Sequence, residues 1–324
     1  MYGAGAVGGT VGARLFAAGH DVILIARGEH GRVLAERGLR FVAPDVAHTL
    51  PIPVVAEPAA LTFGPGDVVF LTMKGQDTAA AVEALARVAP PDLHVVCAQN
   101  GVDNERIALR RFANVHAMCV RCSASFLEPG VVRAFGAPMS GIFDVGRFPR
   151  GLDDVDRQLA ALFPAARLAG EADPDVMRRK YAKLLTNATN ALEAAAGGAA
   201  RNSSLRERTR DEAIACFRAA GIAYELGPGE SARNALIAAQ PIDGLTYEGN
   251  STWQSLARGA GGVEADALNG EIVLLGRLFG VATPVNAALQ QFAHRMVRER
   301  IPAGSVPVEQ LEREVDRWTE RVRA

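Results

Sequence analysis

The 324-residue chain has little cysteine, almost no lysine, no net charge to speak of and no long hydrophobic run. Four cysteines cannot build a disulfide framework in a chain this long, so a reducing compartment suits it and a cytoplasmic location is expected. No apolar run reaches the roughly 18–20 residues of a membrane span, and the N-terminus lacks the basic start and cleavage site of a secretory signal; no membrane partner is expected. With 35 Lys plus Arg against 36 Asp plus Glu, the formal net charge is −1, which leaves no cationic surplus for a nucleic-acid backbone. Cys119 and Cys122 spell C-x-x-C, but inside an apolar stretch, 115–126, that reads as one strand. No second Cys or His pair completes a metal site, so the reading is two packed thiols and no metal.

What is present is ordinary globular material, 49% apolar and 22% charged. The length exceeds the roughly 150 residues of one domain, so two are expected. Apolar runs at 22–25, 68–73, 93–98 and 115–120 alternate with helical segments at 78–88 and 105–111. Strand and helix in alternation mean a parallel sheet covered on both faces. After about Ala172 the strands stop. Asp173-Pro174, a capping residue followed by proline at the first helical position, then opens a helix of over twenty residues that closes at Gly197-Gly198. Further helices are read at 264–279, at 284–298 and from Val308 onward, the last with a solvated charged face, while Gly259–Gly262 reads as a flexible loop. The fold class is therefore an α/β Rossmann-like domain, residues 1–172, followed by an all-α domain, residues 173–324.

Gly3-Ala4-Gly5-Ala6-Val7-Gly8 is G-x-G-x-x-G opening a helix. Such a turn lets a pyrophosphate approach the backbone and sit on the helix N-terminus, so Gly3, Gly5, Ala6, Val7 and Gly8 are candidate dinucleotide contacts. Only Met1 and Tyr2 precede the glycines. Either the first, central strand begins upstream or the sheet lacks it. About twenty residues past the turn, where an acidic residue would bind the ribose hydroxyl of NAD, stands Arg27, whose guanidinium favours the 2'-phosphate of NADP over the alternative of a merely exposed arginine.

Only Lys74, Lys180 and Lys183 are lysines. In a chain that uses arginine wherever plain charge suffices, a surviving lysine points to a need for a compact, titratable ammonium. Lys74 ends an apolar strand at the carboxyl edge, where doubly wound sheets bind ligands. At 100° per residue, Lys180, Lys183, Asn187 and Asn190 share one stripe beside an apolar one, which suits either a cleft wall or an ordinary solvated face.

Gly3-x-Gly5-x-x-Gly8, Arg27, Thr72-Met73-Lys74, Gln99-Asn100-Gly101, the Lys183–Asn187 segment, Ser251-Thr252-Trp253-Gln254 and the Glu264–Gly270 segment, in this order and spacing, resemble the ketopantoate reductase family of NADPH-dependent 2-dehydropantoate 2-reductases. The resemblance runs from Tyr2 to about Val297. It implies that Lys183 is the general acid and that Glu264 completes the site beside it. It also implies that Asn187 holds the substrate, Ser251 takes its carboxylate, Asn100 contacts cofactor and substrate, and Arg27 and Lys74 bind the adenosine phosphate end. The helical domain would serve substrate binding and dimerisation, with a homodimer left open. Ala191 stands where the family has a second asparagine, which makes Asn190 the candidate substitute, and Ser255 replaces the acidic residue usual after S-x-x-Q. The expected partner is a small 2-oxo acid, ketopantoate first, on the route to pantothenate and coenzyme A. Reduction of another branched 2-oxo acid, or a catalytically silent NADP-binding regulator, are the rival readings.

Overall fold

The protein divides into two compact units in a computed structural model that describes residues 1–225, 229–259 and 261–323. The first comprises Met1–Gln99, Asp103–Arg179 and the described part of Leu226–Tyr247; the second comprises Asn100–Val102, Lys180–Glu225 and the described part of Glu248–Ala324.

In the first unit one sheet runs in the order β4 (Val54–Val55), β1 (Leu24–Ile25), Tyr2, β5 (Val68–Leu71), β6 (His94–Cys97), β7 (Asn114–Arg121), β11 (Ile142–Arg147). All neighbours are parallel except β11, which runs antiparallel to β7. The centre of the sheet is held by a single residue: Tyr2 bridges Ile25 on one side and Leu71 on the other. Its amide donates to Phe70 O at 2.8 Å, and its carbonyl accepts from Thr72 N at 2.9 Å. Alternation sorts the buried side chains by face. Phe70 and Val96 join α1 (Ala6–Ala17) in one core, while Val69, Leu71, Val95 and Cys97 pack with Val82 and Leu85 of α3 (Thr78–Ala86) and Ala108 of α4 (Asn104–Ala108) in another.

A second sheet, unread in the sequence, has the order β3 (Val46–Leu50), β2 (Leu39–Ala43), β9 (Val131–Ala134), β8 (Ala124–Glu128). Phe41 and Val132 from it enter the same core as α1. Residues 115–126 are consequently not one strand. The chain leaves β7 at Arg121, passes through Cys122 and Ser123, and enters the other sheet at Ala124. Neither thiol is in a disulfide: Cys119 is buried in β7 and Cys122 half-buried in the link. Nor do strands end near Ala172, because β12 (Ile237–Ala239) pairs antiparallel with β10 (Gly136–Pro138). Helix α2 (Gly28–Arg37) follows β1, α5 (Asp154–Leu162) packs on β11, and α9 (Glu230–Ala235) precedes β12.

The single long helix expected from Asp173 is two. Helix α6 (Val176–Asn187) crosses from the first unit into the second and breaks at Ala188–Thr189 before α7 (Asn190–Ala196). The acceptors that would continue it are already taken: Ala188 O accepts from Asn269 Nδ2 at 2.8 Å, and Thr186 O from the Thr189 hydroxyl at 2.8 Å. The second unit also contains α8 (Ser204–Ala219), α10 (Ser251–Ala257), α11 (Asn269–Phe279), α12 (Pro284–Glu299) and α13 (Val308–Arg323). Leu192, Leu205, Leu289, Phe292, Leu311 and Val315 meet in its core. Helix α11 starts at Asn269, five residues later than read, so Glu264 lies in the preceding turn. Of the expected Gly259–Gly262 loop, Ala260 lies outside the described residues. No described helix is long and apolar enough to cross a membrane.

Candidate functional site

The glycine turn belongs to the first unit. Gly3 has φ +101°, and a Cβ there would sit 2.7 Å from Met73 N; one at Gly8 would sit 2.0 Å from Gly3 O. Packing therefore demands these two glycines. Gly5 is different. Added carbon would meet nothing nearer than Phe126 Cδ1 at 3.8 Å, so the chain's own atoms do not account for its bareness. Gly5 is the N-cap of α1, whose first turn has no acidic residue and no capping side chain for its N–H groups, an arrangement open to an anion.

The turn is held from two sides. Thr72, directly after β5, sends its hydroxyl to the carbonyls of Tyr2 and Gly3. His30 of α2 was not foreseen in the sequence. Its Nδ1 accepts from Gly130 N at 2.9 Å, so Nε2 carries the proton and donates to Ala4 O at 2.8 Å. Arg27 caps α2 from the end of β1 with its side chain 82% exposed, touching only the half-exposed Asp77 carboxylate at 3.3 Å among its ion pairs. An open pair of this kind is worth at most about 1 kcal/mol and yields readily to a phosphate. The nearest acid on α2, Glu29, is occupied by Arg32 at 2.6 Å. Lys74 stands half-buried at the carboxyl end of β5, before the turn Gly75–Asp77.

The remaining candidates lie in the second unit. On α6 the polar stripe is not a solvated face: Lys180 is 4% exposed, Asn187 is buried and Lys183 is half-buried. Asn190 is also buried, but as the first residue of α7, so the 100° spacing does not carry to it. Lys183 Nζ donates to Asn100 Oδ1 at 2.8 Å. An ammonium has three N–H groups, and this bond aims it with one of them. Asn250 was not singled out in the sequence, yet it joins two candidates: its Oδ1 caps α10 through Thr252 N and Trp253 N, both at 3.0 Å, while Nδ2 donates to Asn190 O at 3.1 Å. Ser251 Oγ, at the start of α10, is buried with no hydrogen-bond partner among the described residues. Glu264 is buried near Arg258, whose guanidinium burial pushes down and the Glu264 charge holds up. Ser255 turns its hydroxyl back to Ser251 O at 2.9 Å, and Ala191 packs in the helical core.

Residues 1–150 match the family Ketopantoate reductase PanE/ApbA, and residues 175–297 match Ketopantoate reductase PanE/ApbA C terminal. The chain is 31% identical over 299 residues to the 2-dehydropantoate 2-reductase of Archaeoglobus fulgidus, covering 89% of this chain and 94% of the relative. A solved PanE/ApbA family ketopantoate reductase from Ralstonia eutropha superposes with a TM-score of 0.76 at 28% identity, covering 93% of this chain and 99% of the other. The ternary structure of D-mandelate dehydrogenase with NADH and anilino(oxo)acetate superposes with a TM-score of 0.77 at 22% identity, over 93% of this chain and 99% of that one, and shares the fold.

Proposed function

Because the chain belongs to the ketopantoate reductase family, we propose that it reduces 2-dehydropantoate to pantoate with NADPH, Lys183 acting as general acid. The observation that carries this reading is the Lys183–Asn100 hydrogen bond. Bound NADPH would supply the hydride that turns the ketone carbon into a secondary alcohol carbon. Negative charge then develops on the carbonyl oxygen, and a positioned ammonium both stabilises that charge and donates the proton. Asn100 Oδ1 accepts without competing for the proton, so it fixes the direction of Nζ while leaving lysine the acid. The unpartnered Ser251 hydroxyl is assigned to the substrate carboxylate, with Asn187 and Asn190 as further donors and Glu264 completing the site. Asn250, by capping α10 and gripping Asn190, keeps two of these in register.

Gly3, Gly5, Ala6, Val7 and Gly8 would cradle the pyrophosphate, and Arg27 and Lys74 the adenosine phosphate. NADPH is expected to be preferred over NADH, because Arg27 pairs with a 2'-phosphate and no acid at the end of β1 rewards a free hydroxyl. Arg27→Asp should abolish that preference, read as the ratio of kcat/KM for the two cofactors; equal use of both by the wild type would refute the role of Arg27. For His30 the expectation concerns positioning. His30→Ala loses its hydrogen bond to the turn at Ala4 O and the one from Gly130 N that orients it, and should raise the KM for NADPH about fivefold, at roughly 1 kcal/mol for the bond to the turn, with kcat little changed. His30→Gln, able to accept from Gly130 N and donate to Ala4 O, should recover most of the loss. A fall in kcat with KM unmoved would argue against this anchor.

The deciding experiment follows NADPH oxidation with ketopantoate and with a panel of other branched 2-oxo acids. Turnover highest with ketopantoate supports the proposal. Turnover highest with another 2-oxo acid supports the second reading, which Ala191 and Ser255 favour because they lack the amide and the carboxylate of the family pattern. No turnover with any acid, despite NADPH binding, would leave the silent regulator.

A further inference from the structure

A cluster of titratable side chains in the first unit takes no part in the reaction. His94 opens β6, His116 lies in β7 and Asp153 is the N-cap of α5; one ligand atom from each falls within 4.8 Å of the others. We propose that these three residues bind a divalent transition-metal ion of the zinc type.

His116 determines the geometry. Its imidazole is fully buried, and Nδ1 lies 2.7 Å from Oδ1 of Asp156, which is fully buried as well. The carboxylate accepts a hydrogen bond from Nδ1–H, so the lone pair of the neutral ring is on Nε2. That lone pair faces His94 Nδ1 at 2.9 Å and Asp153 Oδ2 at 3.8 Å. A carboxylate behind the far nitrogen of an imidazole is the usual outer-shell partner of a metal-bound histidine, fixing both tautomer and ring direction. Asp156 is itself immobilised, since its Oδ2 accepts from Asp153 N at 2.8 Å.

Asp153 divides its oxygens between two duties. Oδ1 caps α5 through Val155 N at 2.9 Å and Asp156 N at 3.3 Å, which leaves Oδ2 to the cluster. The cation now nearest Oδ2 is Arg147 at 3.2 Å, and Arg147 also holds Asn114 Oδ1 at 2.9 Å and Ala113 O at 3.3 Å, so it need not lose every partner if a metal displaces it. Two imidazole nitrogens and one carboxylate oxygen form the donor set of a zinc site with an open fourth position, and nitrogen donors disfavour magnesium and calcium. Zinc–nitrogen bonds of about 2.05 Å at a tetrahedral angle put the two nitrogens about 3.3 Å apart. The pair must therefore open by about 0.4 Å, and His94, half-exposed at the start of its strand, is the ring free to move. The cluster sits at the amino ends of β6 and β7, whereas the glycine turn and Lys74 lie at carboxyl ends, so the ion would brace β6, β7 and α5 without touching that turn or Lys74.

The test uses the full chain without an affinity tag, stripped with a chelator and titrated with Zn²⁺ by calorimetry. Expected are one site per chain, a dissociation constant in the micromolar range or tighter, a higher thermal midpoint, and no competition from Mg²⁺. His94→Ala removes a partly exposed ligand, and Asp153→Asn keeps the cap while removing the anionic one. Each should weaken zinc binding at least about tenfold while leaving NADPH binding intact, which shows the variant folded. Absence of saturable zinc binding in the wild type, or binding undiminished in both variants, would overturn the site.

Discussion

Lys183→Arg is expected to bind NADPH normally and turn over about 100- to 10,000-fold more slowly than the wild type, the range typical of a removed general acid. Arginine keeps the positive charge near the developing alkoxide but holds its protons at any working pH, so it stabilises without donating. Its planar fork also cannot repeat the single Nζ–Asn100 bond that aims the lysine. Lys183→Ala should be at least as poor. Lys180 serves as the comparison one turn away. Its 4% exposure means that Lys180→Arg tests packing as well as charge, and some loss of stability there is compatible with the assignment. Single-turnover kinetics at saturating NADPH decide the matter: near-normal turnover in Lys183→Arg, with collapse in a folded Lys180→Arg, would move the acid along α6.

Asp144→Ala should produce the largest loss of stability. This fully buried carboxylate of β11 lies among three guanidiniums: Arg179 NH1 at 3.4 Å, Arg121 NH2 at 3.6 Å, and Arg233 in direct hydrogen-bond contact. It also accepts from Glu171 N at 3.2 Å. Removing it leaves three cations in a poorly solvated pocket with Glu230, Glu171 and Asp173 as their remaining counter-charges. Breaking a buried pair costs about 3–5 kcal/mol, which for a chain of this size is a fall of roughly 4–7 °C in thermal midpoint. Because Arg233 ties α9 to this carboxylate, amide exchange should quicken from Glu230 to Ala239 before it does in the central strands. A drop of only one or two degrees would mean that the surrounding acids suffice on their own.

The legibility of the sequence followed the range of the interactions. The glycine turn, Arg27 and the parallel strand runs announce themselves through spacings of a few residues, and they stand where expected. The second sheet does not, because β2 finds its parallel neighbour β9 some ninety residues on, at Arg40↔Val131, and nothing local foretells that register. The break after α6 is hidden for the same reason: it depends on Asn269, far down the chain, claiming Ala188 O. His30 illustrates the limit within the candidate site. It lies three residues beyond Arg27, but its task depends on a main-chain N–H at Gly130 that only the folded chain brings near. Asn250 is hidden for the same reason, since its grip on Asn190 O exists only in the folded chain.

Tyr2 couples ligand and fold. Met1 to Gly3 stitch β1 to β5 through four peptide hydrogen bonds, and the same segment runs straight into the turn assigned to the pyrophosphate. The seam of the sheet and the proposed cradle of the cofactor are thus one stretch of backbone. A dinucleotide that orders the turn must also tighten the seam, by the linkage that makes any ligand of the native state a stabiliser of it. Without cofactor, the weakest line through the first unit should run between Ile25 and Leu71, and saturating NADPH should slow exchange most at those flanking amides, making occupancy of the turn readable as the cohesion of the sheet.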